Sequence, residues 1–498
     1  MLEIFQPSVL VPWILGMVFG IFVGGIPGLT ATMAVALAVP VTYHLAPIAG
    51  LAMIIGISCT AIFAGDIPAT FMRIPGTPSS GAAVLDGYAM AEQGKGSLAL
   101  ALDLLGSTIG GLIGFALLIF VSRPLAGFAL QFTNFEYFWL GMFGLSMSAV
   151  ITTGSTNKGF ISAFLGLLIA TIGVDVTTGY PRFAFGNPEL MDGIEFIPAM
   201  IGLFGISEVF RYMMRPEDFE RPTVIDKLKL SFDNVTSILW KFKATIARSA
   251  VIGTFIGALP GAGADIAAWV AYGLGKRMSK HPEKFGTGYE EGVIAPTAAN
   301  NAALGGTWIP ALVFGIPGDT ITAIVLGAML MYGLKPGPLI FQQSPDLVNK
   351  IFAVGIISQL FMVGIGFLGI KGFSYILKIP SNVIMPAVMG FSIVGSFALR
   401  NSAFDILVML VFGILGFLME RSSIPLPPLI LGLILGPMIE DNLRVGLLKT
   451  GGKIGPFITR PICSVLIVIL VAVLFGEQII KTGRRMLGKS EQKGQINT

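Results

Sequence analysis

The chain has 498 residues, of which 54% are hydrophobic and only 12% charged, with a net charge of +4. About a quarter of the residues in a soluble domain are charged, so this composition, with a mean hydropathy of +0.82, excludes an ordinary soluble protein and points to a polytopic membrane protein. Apolar runs such as 98–121 and 462–475 do not alternate, which argues against a β-barrel, and the basic residues sit in loops rather than in a nucleic-acid-binding pattern.

The first five residues, Met-Leu-Glu-Ile-Phe, lack the basic region of a cleaved secretory signal. Residues 9–41 are almost wholly apolar but broken at Pro27-Gly28. That is too long for one span of about 20 residues and short for two, so it predicts a hairpin of two short helices or a re-entrant loop. A span over 47–64 follows. Residues 66–85, rich in Pro and Gly and carrying Thr77, Ser79 and Ser80, form a second interrupted segment. Further spans are expected near 98–121, 135–150, 159–172 and 197–212. Residues 213–245 carry Arg215, Arg221, Lys227, Lys229, Lys241 and Lys243 and read as a linker, part of it an amphipathic surface helix. A second hairpin begins at 246, followed by a basic loop at 276–286, an apolar stretch at 295–304 and a break at Ile316-Pro317-Gly318. Spans near 351–370, 383–397, 406–418, 429–439 and 462–480 lead to a basic tail, 481–498. The expected fold is all-α, with roughly a dozen membrane segments divided into a first half (1–212), a linker (213–245), a second half (246–480) and a tail.

The halves share motifs in the same order. G-T-F-I-G-A-L-P-G-A-G-A-D at 253–265 matches G-I-F-V-G-G-I-P-G-L-T-A-T at 20–32, and Ile67-Pro68-Ala69 before Ile74-Pro75-Gly76 matches Ile309-Pro310-Ala311 before Ile316-Pro317-Gly318. The spacing between the two prolines is the same, which indicates an internal repeat. The linker, the 276–286 loop and the tail are basic and should be cytoplasmic, whereas residues 43–47, which correspond to that loop, have no Lys or Arg. This asymmetry predicts two inverted repeats with interrupted hairpins.

The breaks carry the candidate chemistry. Proline ends one helix and starts the next, leaving free N–H groups and a partial positive charge at the new start. In lipid such a break is tolerated only when buried or lining a cavity. The substrate-binding candidates for a carboxylate are Pro27, Gly28 and Thr30; Pro75, Gly76, Thr77, Ser79 and Ser80; Pro260, Gly261 and Gly263; Asn300 and Asn301; and Pro317 and Gly318. Thr32, Asp265, Asp319 and Thr320 are candidates for a coupling ion, because sodium takes oxygen ligands. Asp66 and Asp319 fit helix capping as well as ion binding, and Asn300-Asn301 fit interhelical hydrogen bonding as well as a ligand role. Arg73 reads as an interfacial side chain. His44 and His281 lie in loops, Cys59 and Cys463 in apolar runs, and there is no nucleotide-binding G-x-x-x-x-G-K-[ST]. A passive anion channel and, more remotely, an intramembrane hydrolase are the alternative functions.

Several motifs together resemble one family: G-x-x-x-G-x-x-P-G at 20–28, Leu85-Asp86-Gly87-Tyr88, Leu259-Pro260-Gly261-Ala262-Gly263, Phe285-Gly286-Thr287-Gly288, Ala298-Ala299-Asn300-Asn301 and Gly333-Leu334-Lys335-Pro336-Gly337-Pro338. The set is similar to the large membrane subunit of the tripartite tricarboxylate transporters, the TctA family. The resemblance implies a bacterial inner-membrane permease, not an enzyme, that works with a small four-span membrane subunit and a periplasmic solute-binding protein. It further implies import of a small di- or tricarboxylate by symport with sodium or protons, an elevator-like movement, and no cofactor or metal beyond a coupling sodium. Thr297, Asp66, Pro68 and Arg73 depart from the family's usual residues.

Overall fold

The computed structural model describes residues 2–151, 155–175, 178–216, 234–376 and 379–474. Most of the linker, the tail and the end of the last expected span therefore lie outside the described residues. The chain is almost wholly helical, and the one sheet among the described residues pairs Gly173–Val174 with Pro181–Arg182 in antiparallel fashion.

The first apolar run folds as α1 (Pro7–Gly24) and α2 (Ala31–Thr42). At 18 and 12 residues they are about 27 and 18 Å long, so α2 is too short to cross a hydrocarbon core of about 30 Å. Pro7 opens α1, and the Thr30 hydroxyl caps α2 by accepting the Met33 N–H at 3.1 Å. α3 (Pro47–Ala64) turns at Gly65 into α4 (Asp66–Met72), which stops at Arg73 in the left-handed conformation, φ 59°. A short turn at Pro78–Gly81 leads to α5 (Ala83–Glu92), then α6 (Gly96–Ala129), α7 (Asn134–Ile151) and α8 (Thr156–Ala170). After the small sheet come α9 (Phe196–Ile201), a π-turn at Gly202–Ile206, and α10 (Ser207–Met214).

α11 (Val235–Lys241) and α12 (Lys243–Gly257) reach the break at 258–262, and α13 (Gly263–Met278) returns. α14 (Glu290–Phe314) ends at Gly315, left-handed at φ 69°, and α15 (Thr320–Met331) starts beyond the next break. α16 (Ile340–Gln343), α17 (Pro345–Ile376), α18 (Ser381–Arg400), α19 (Ala403–Arg421), α20 (Pro427–Lys449), α21 (Gly455–Thr459) and α22 (Pro461–Leu474) complete the described chain. α14 extends well beyond the apolar stretch 295–304 because its prolines, 296 and 310, lie within the helix without ending it. α6 likewise continues through Pro124 to 34 residues, about 51 Å, longer than the expected 98–121. Among the described residues, seven helices are long and apolar enough to cross a membrane, and four shorter apolar ones accompany them.

Glycines set the packing. A Cβ on Gly20 would lie 2.7 Å from the Ile57 carbonyl oxygen, and one on Gly24 would lie 2.2 Å from that of Ala61. α12 meets α14 in the same manner, with Gly253 at Ala299 and Gly257 at Ala303, both 2.3 Å from the carbonyl oxygen. A four-residue spacing places both glycines on one helix face, so backbones touch where lipid supplies no hydrophobic drive to association. α6 lies against α14, its Gly110 and Gly114 at Ala298 and Ala302, while α17 lies against α3 and α6. α7 and α8 pack on α20, whereas α18 and α19 pack on the α9–α10 segment. Each half thus completes its packing with elements of the other.

Candidate functional site

The second break of each half nests on the end of that half's first arm. A Cβ on Gly76 would meet Gly24 O at 2.6 Å, and the Gly76 N–H donates to Gly65 O at 3.0 Å. In the other half a Cβ on Gly318 would meet Gly257 O at 2.7 Å, and Gly318 O accepts the Gly261 N–H at 2.8 Å. Gly261 holds φ at +82°, with room for no side chain because its Cβ would lie 2.5 Å from Ser148 Cα. The two halves meet where α2 and α15 begin: the Thr32 and Thr320 hydroxyls are 2.7 Å apart.

Between these breaks lies a cavity of about 370 Å³. Its polar wall comes from the starts of α2 (Thr30, Thr32), α13 (Gly261, Gly263, Asp265) and α15 (Asp319, Thr320), together with Thr77 and Ser79. Three helices of at least 12 residues therefore direct their positively polarised ends toward one space. Asp319 caps α15, accepting the Thr322 N–H at 2.7 Å and its hydroxyl at 2.6 Å. Asp265 is approached by the Ser79 backbone. None of the described lining residues is basic and three, Asp265, Asp319 and Glu420, are acidic, so what positive polarity the lining offers comes from helix ends and hydroxyl dipoles.

Pro27, Pro260 and Pro317 shape the breaks without lining this cavity. Gly28, Pro75 and Gly76 line an adjoining recess of about 250 Å³ that also contains Glu208 and Arg211, which form an ion pair. Ser80 stands behind the wall, its hydroxyl 2.8 Å from that of Thr77. Asn300 and Asn301 face elsewhere: the first donates to Asp66 Oδ2 and the second to Gln359 Oε1, both at 3.4 Å. Asp66 makes no side-chain cap for α4. Arg73 is exposed and lies over the Tyr88 ring.

Sequence reasoning missed the far wall, formed by Phe204 of the π-turn and by Glu420 and the 424–427 turn between α19 and α20. Phe204 lies in the middle of the expected span 197–212, with nothing local to mark it; Glu420 and the turn lie between the expected spans 406–418 and 429–439, where the signal was the helix-breaking Ile424-Pro425-Leu426-Pro427 shortly after Glu420. Glu420 borders the cavity, the recess and an outer depression of about 530 Å³ lined by Arg211, Arg215 and Arg421. Arg211 and Glu420 line both the recess and this depression, at the ends of α10 and α19.

A family model described as the tripartite tricarboxylate transporter TctA family matches residues 10–431. The chain is 36% identical over 458 residues to an uncharacterized 52.8 kDa protein in the TAR-I ttuC' 3' region of Agrobacterium vitis, across 92% of this chain and 90% of that one. An uncharacterized protein in the TAR-II ttuC' 3' region of the same organism is 36% identical over 215 residues, 43% of this chain and 89% of that protein. No solved structure matches the chain.

Proposed function

Because the chain belongs to the tripartite tricarboxylate transporter TctA family, a family of transporters rather than enzymes, we propose that it is the large permease subunit of a secondary active importer of small di- or tricarboxylates. The observation that carries this reading is the convergence of three helix starts and the Thr77–Ser79 segment on one cavity. Backbone N–H groups and hydroxyls recognise carboxylate oxygens without a fixed cation. Asp265 and Asp319, with Thr32 and Thr320, supply oxygens for a coupling cation that bridges protein and bound carboxylate, offsetting the repulsion between like charges.

Two further features follow in the same reading. The halves are inverted repeats, supported by the charge asymmetry of their loops and by the reciprocal packing of α6 on α14 and α17 on α3. The arginine-lined depression lies where the basic linker begins, so in this reading that end of α10 and α19 is at the cytoplasmic face of an inner membrane. An elevator-like displacement of the interrupted hairpins would then expose the cavity to the periplasm, where a solute-binding protein delivers the carboxylate and a small membrane subunit supports the permease.

The test is uptake of labelled carboxylates into proteoliposomes containing this chain, the small subunit and the binding protein, under imposed sodium or proton gradients. Accumulation above the outside concentration, lost on adding an ionophore, supports the reading. Equilibration without accumulation would mean a channel.

A further inference from the structure

We propose that Asp66, Asp103 and Asn300 form a cation site of their own, taking a proton or a sodium ion, apart from the substrate cavity but linked to it. The inference goes beyond the cavity just described and rests on the reading of the chain as a coupled transporter.

Asp66 opens α4, Asp103 lies in the second turn of α6, and Asn300 sits midway along α14, so the site joins both halves. Their exposures are 0%, 1% and 1%. Asp66 Oδ2 accepts the Asn300 amide N–H, and the carboxyl lies beside the Asp103 carboxyl and the Ser80 hydroxyl. Two buried carboxyl groups lie this close only if something positive neutralises one of them, since two buried negative charges side by side repel strongly. The groups facing the pair are Ser80, Ser107 and Asn300, none of them cationic.

Hydrogen-bond accounting gives an independent reason. Asp66 Oδ1, Asp103 Oδ2 and Asn300 Oδ1 are buried acceptors with no donor. The Asn300 amide donates through Nδ2 to Asp66 Oδ2 while its carbonyl oxygen, on the same buried group, has no donor. Buried acceptors left in this state are costly. A single proton or sodium ion would satisfy them and supply the missing charge; both offer the same chemistry, a small hard cation for oxygen ligands.

The site is wired to the substrate cavity. Asp66 contacts Ser80, the Ser80 hydroxyl is 2.8 Å from that of Thr77, and Thr77 is 2.9 Å from Ser79. Thr77 and Ser79 form cavity wall. Space behind that wall is kept by Gly65, where a Cβ would come within 2.6 Å of Thr77 Oγ1 and 2.7 Å of Ser80 Oγ. A cation at Asp66 therefore fixes the segment that presents hydroxyls to the carboxylate, which is a physical basis for coupling.

The experiment is thermal melting of the purified full chain without carboxylate, so that the cavity cation is not engaged. Sodium chloride is titrated against choline chloride at constant pH, and pH is varied without sodium. A Tm that rises with sodium assigns sodium; one that rises only with acid assigns a proton; a Tm unmoved by either overturns the site. Asp103→Asn imitates the neutralised pair at the same size, with an amide that can donate to a freed oxygen. It should fold, lose the cation dependence of Tm and keep the shift caused by added carboxylate. A folded D103N with the wild-type cation dependence would also overturn the site, and Asp66→Asn repeats the measurement should D103N not assemble. Gradient-driven uptake by the wild type tests the transporter reading separately, so the two can fail independently.

Discussion

Arg73 and Gly315 occupy the same place in the two halves, one residue before Ile-Pro-Gly, and both are left-handed, at φ 59° and 69°. Only glycine adopts that conformation without a steric cost, about 1 kcal/mol for other residues. Arg73→Gly should therefore leave Tm unchanged or slightly higher and preserve uptake, whereas Gly315→Ala should lower Tm. A large loss of stability in R73G would show that the guanidinium, which rests over Tyr88, matters more than its backbone. In the cavity, Asp265→Asn removes a charge while conserving shape. A hydrogen bond or ion contact to a charged group is worth about 1.5–3 kcal/mol, so the sodium or proton concentration for half-maximal uptake should rise about ten- to a hundredfold. Unchanged cation dependence would remove Asp265 from the site. Gly261→Ala should lower Tm by an amount corresponding to about 1–3 kcal/mol, since its methyl meets Ser148 backbone.

The helices show how far the sequence could be read. Prolines at 27, 75, 260 and 317 marked the breaks because a ring without an N–H cannot sit inside an unsupported helix, and the structure ends and restarts helices around each. Pro124, Pro296 and Pro310 are prolines too, yet α6 and α14 run through them. The difference is tertiary: neighbouring helices hold those two rods, and nothing local to the prolines announces it. The cavity's first wall was legible because its residues sit in sequence beside the breaks. Glu420 and Phe204 were not, because their proximity depends on how α19 and the π-turn pack. Asp103 is unmarked inside an apolar run, and the sequence leaves Asn300 open between a ligand role and interhelical hydrogen bonding. They sit on α6 and α14, whose glycine contact brings both helices against Asp66. Gly110→Val at that contact, where even a Cβ would stand 2.0 Å from Ala298 O, should prevent α6 from seating. The expected result is aggregated or sharply destabilised protein on gel filtration, with no uptake.

At the scale of the molecule, neither half is complete. α17 seats on α3, α6 on α14, α20 on α7 and α8, and α19 on the α9–α10 segment. Two fragments, 1–216 and 234–498, co-expressed in one membrane should co-purify and restore uptake, while either alone should be degraded or aggregate. Stable, monodisperse fragments expressed singly would show that the exchange of helices contributes little.

The same exchange imposes an order on biogenesis. The Ser107 hydroxyl on α6 donates to the Thr297 carbonyl, 190 positions downstream. Gly110 and Gly114 of α6 likewise meet Ala298 and Ala302 of α14. While the ribosome is still making the second half, the nascent first half must hold that hydroxyl and a bare glycine face toward the bilayer or the translocon. Synthesis pausing before residue 290 would thus create the species most exposed to membrane quality-control proteases.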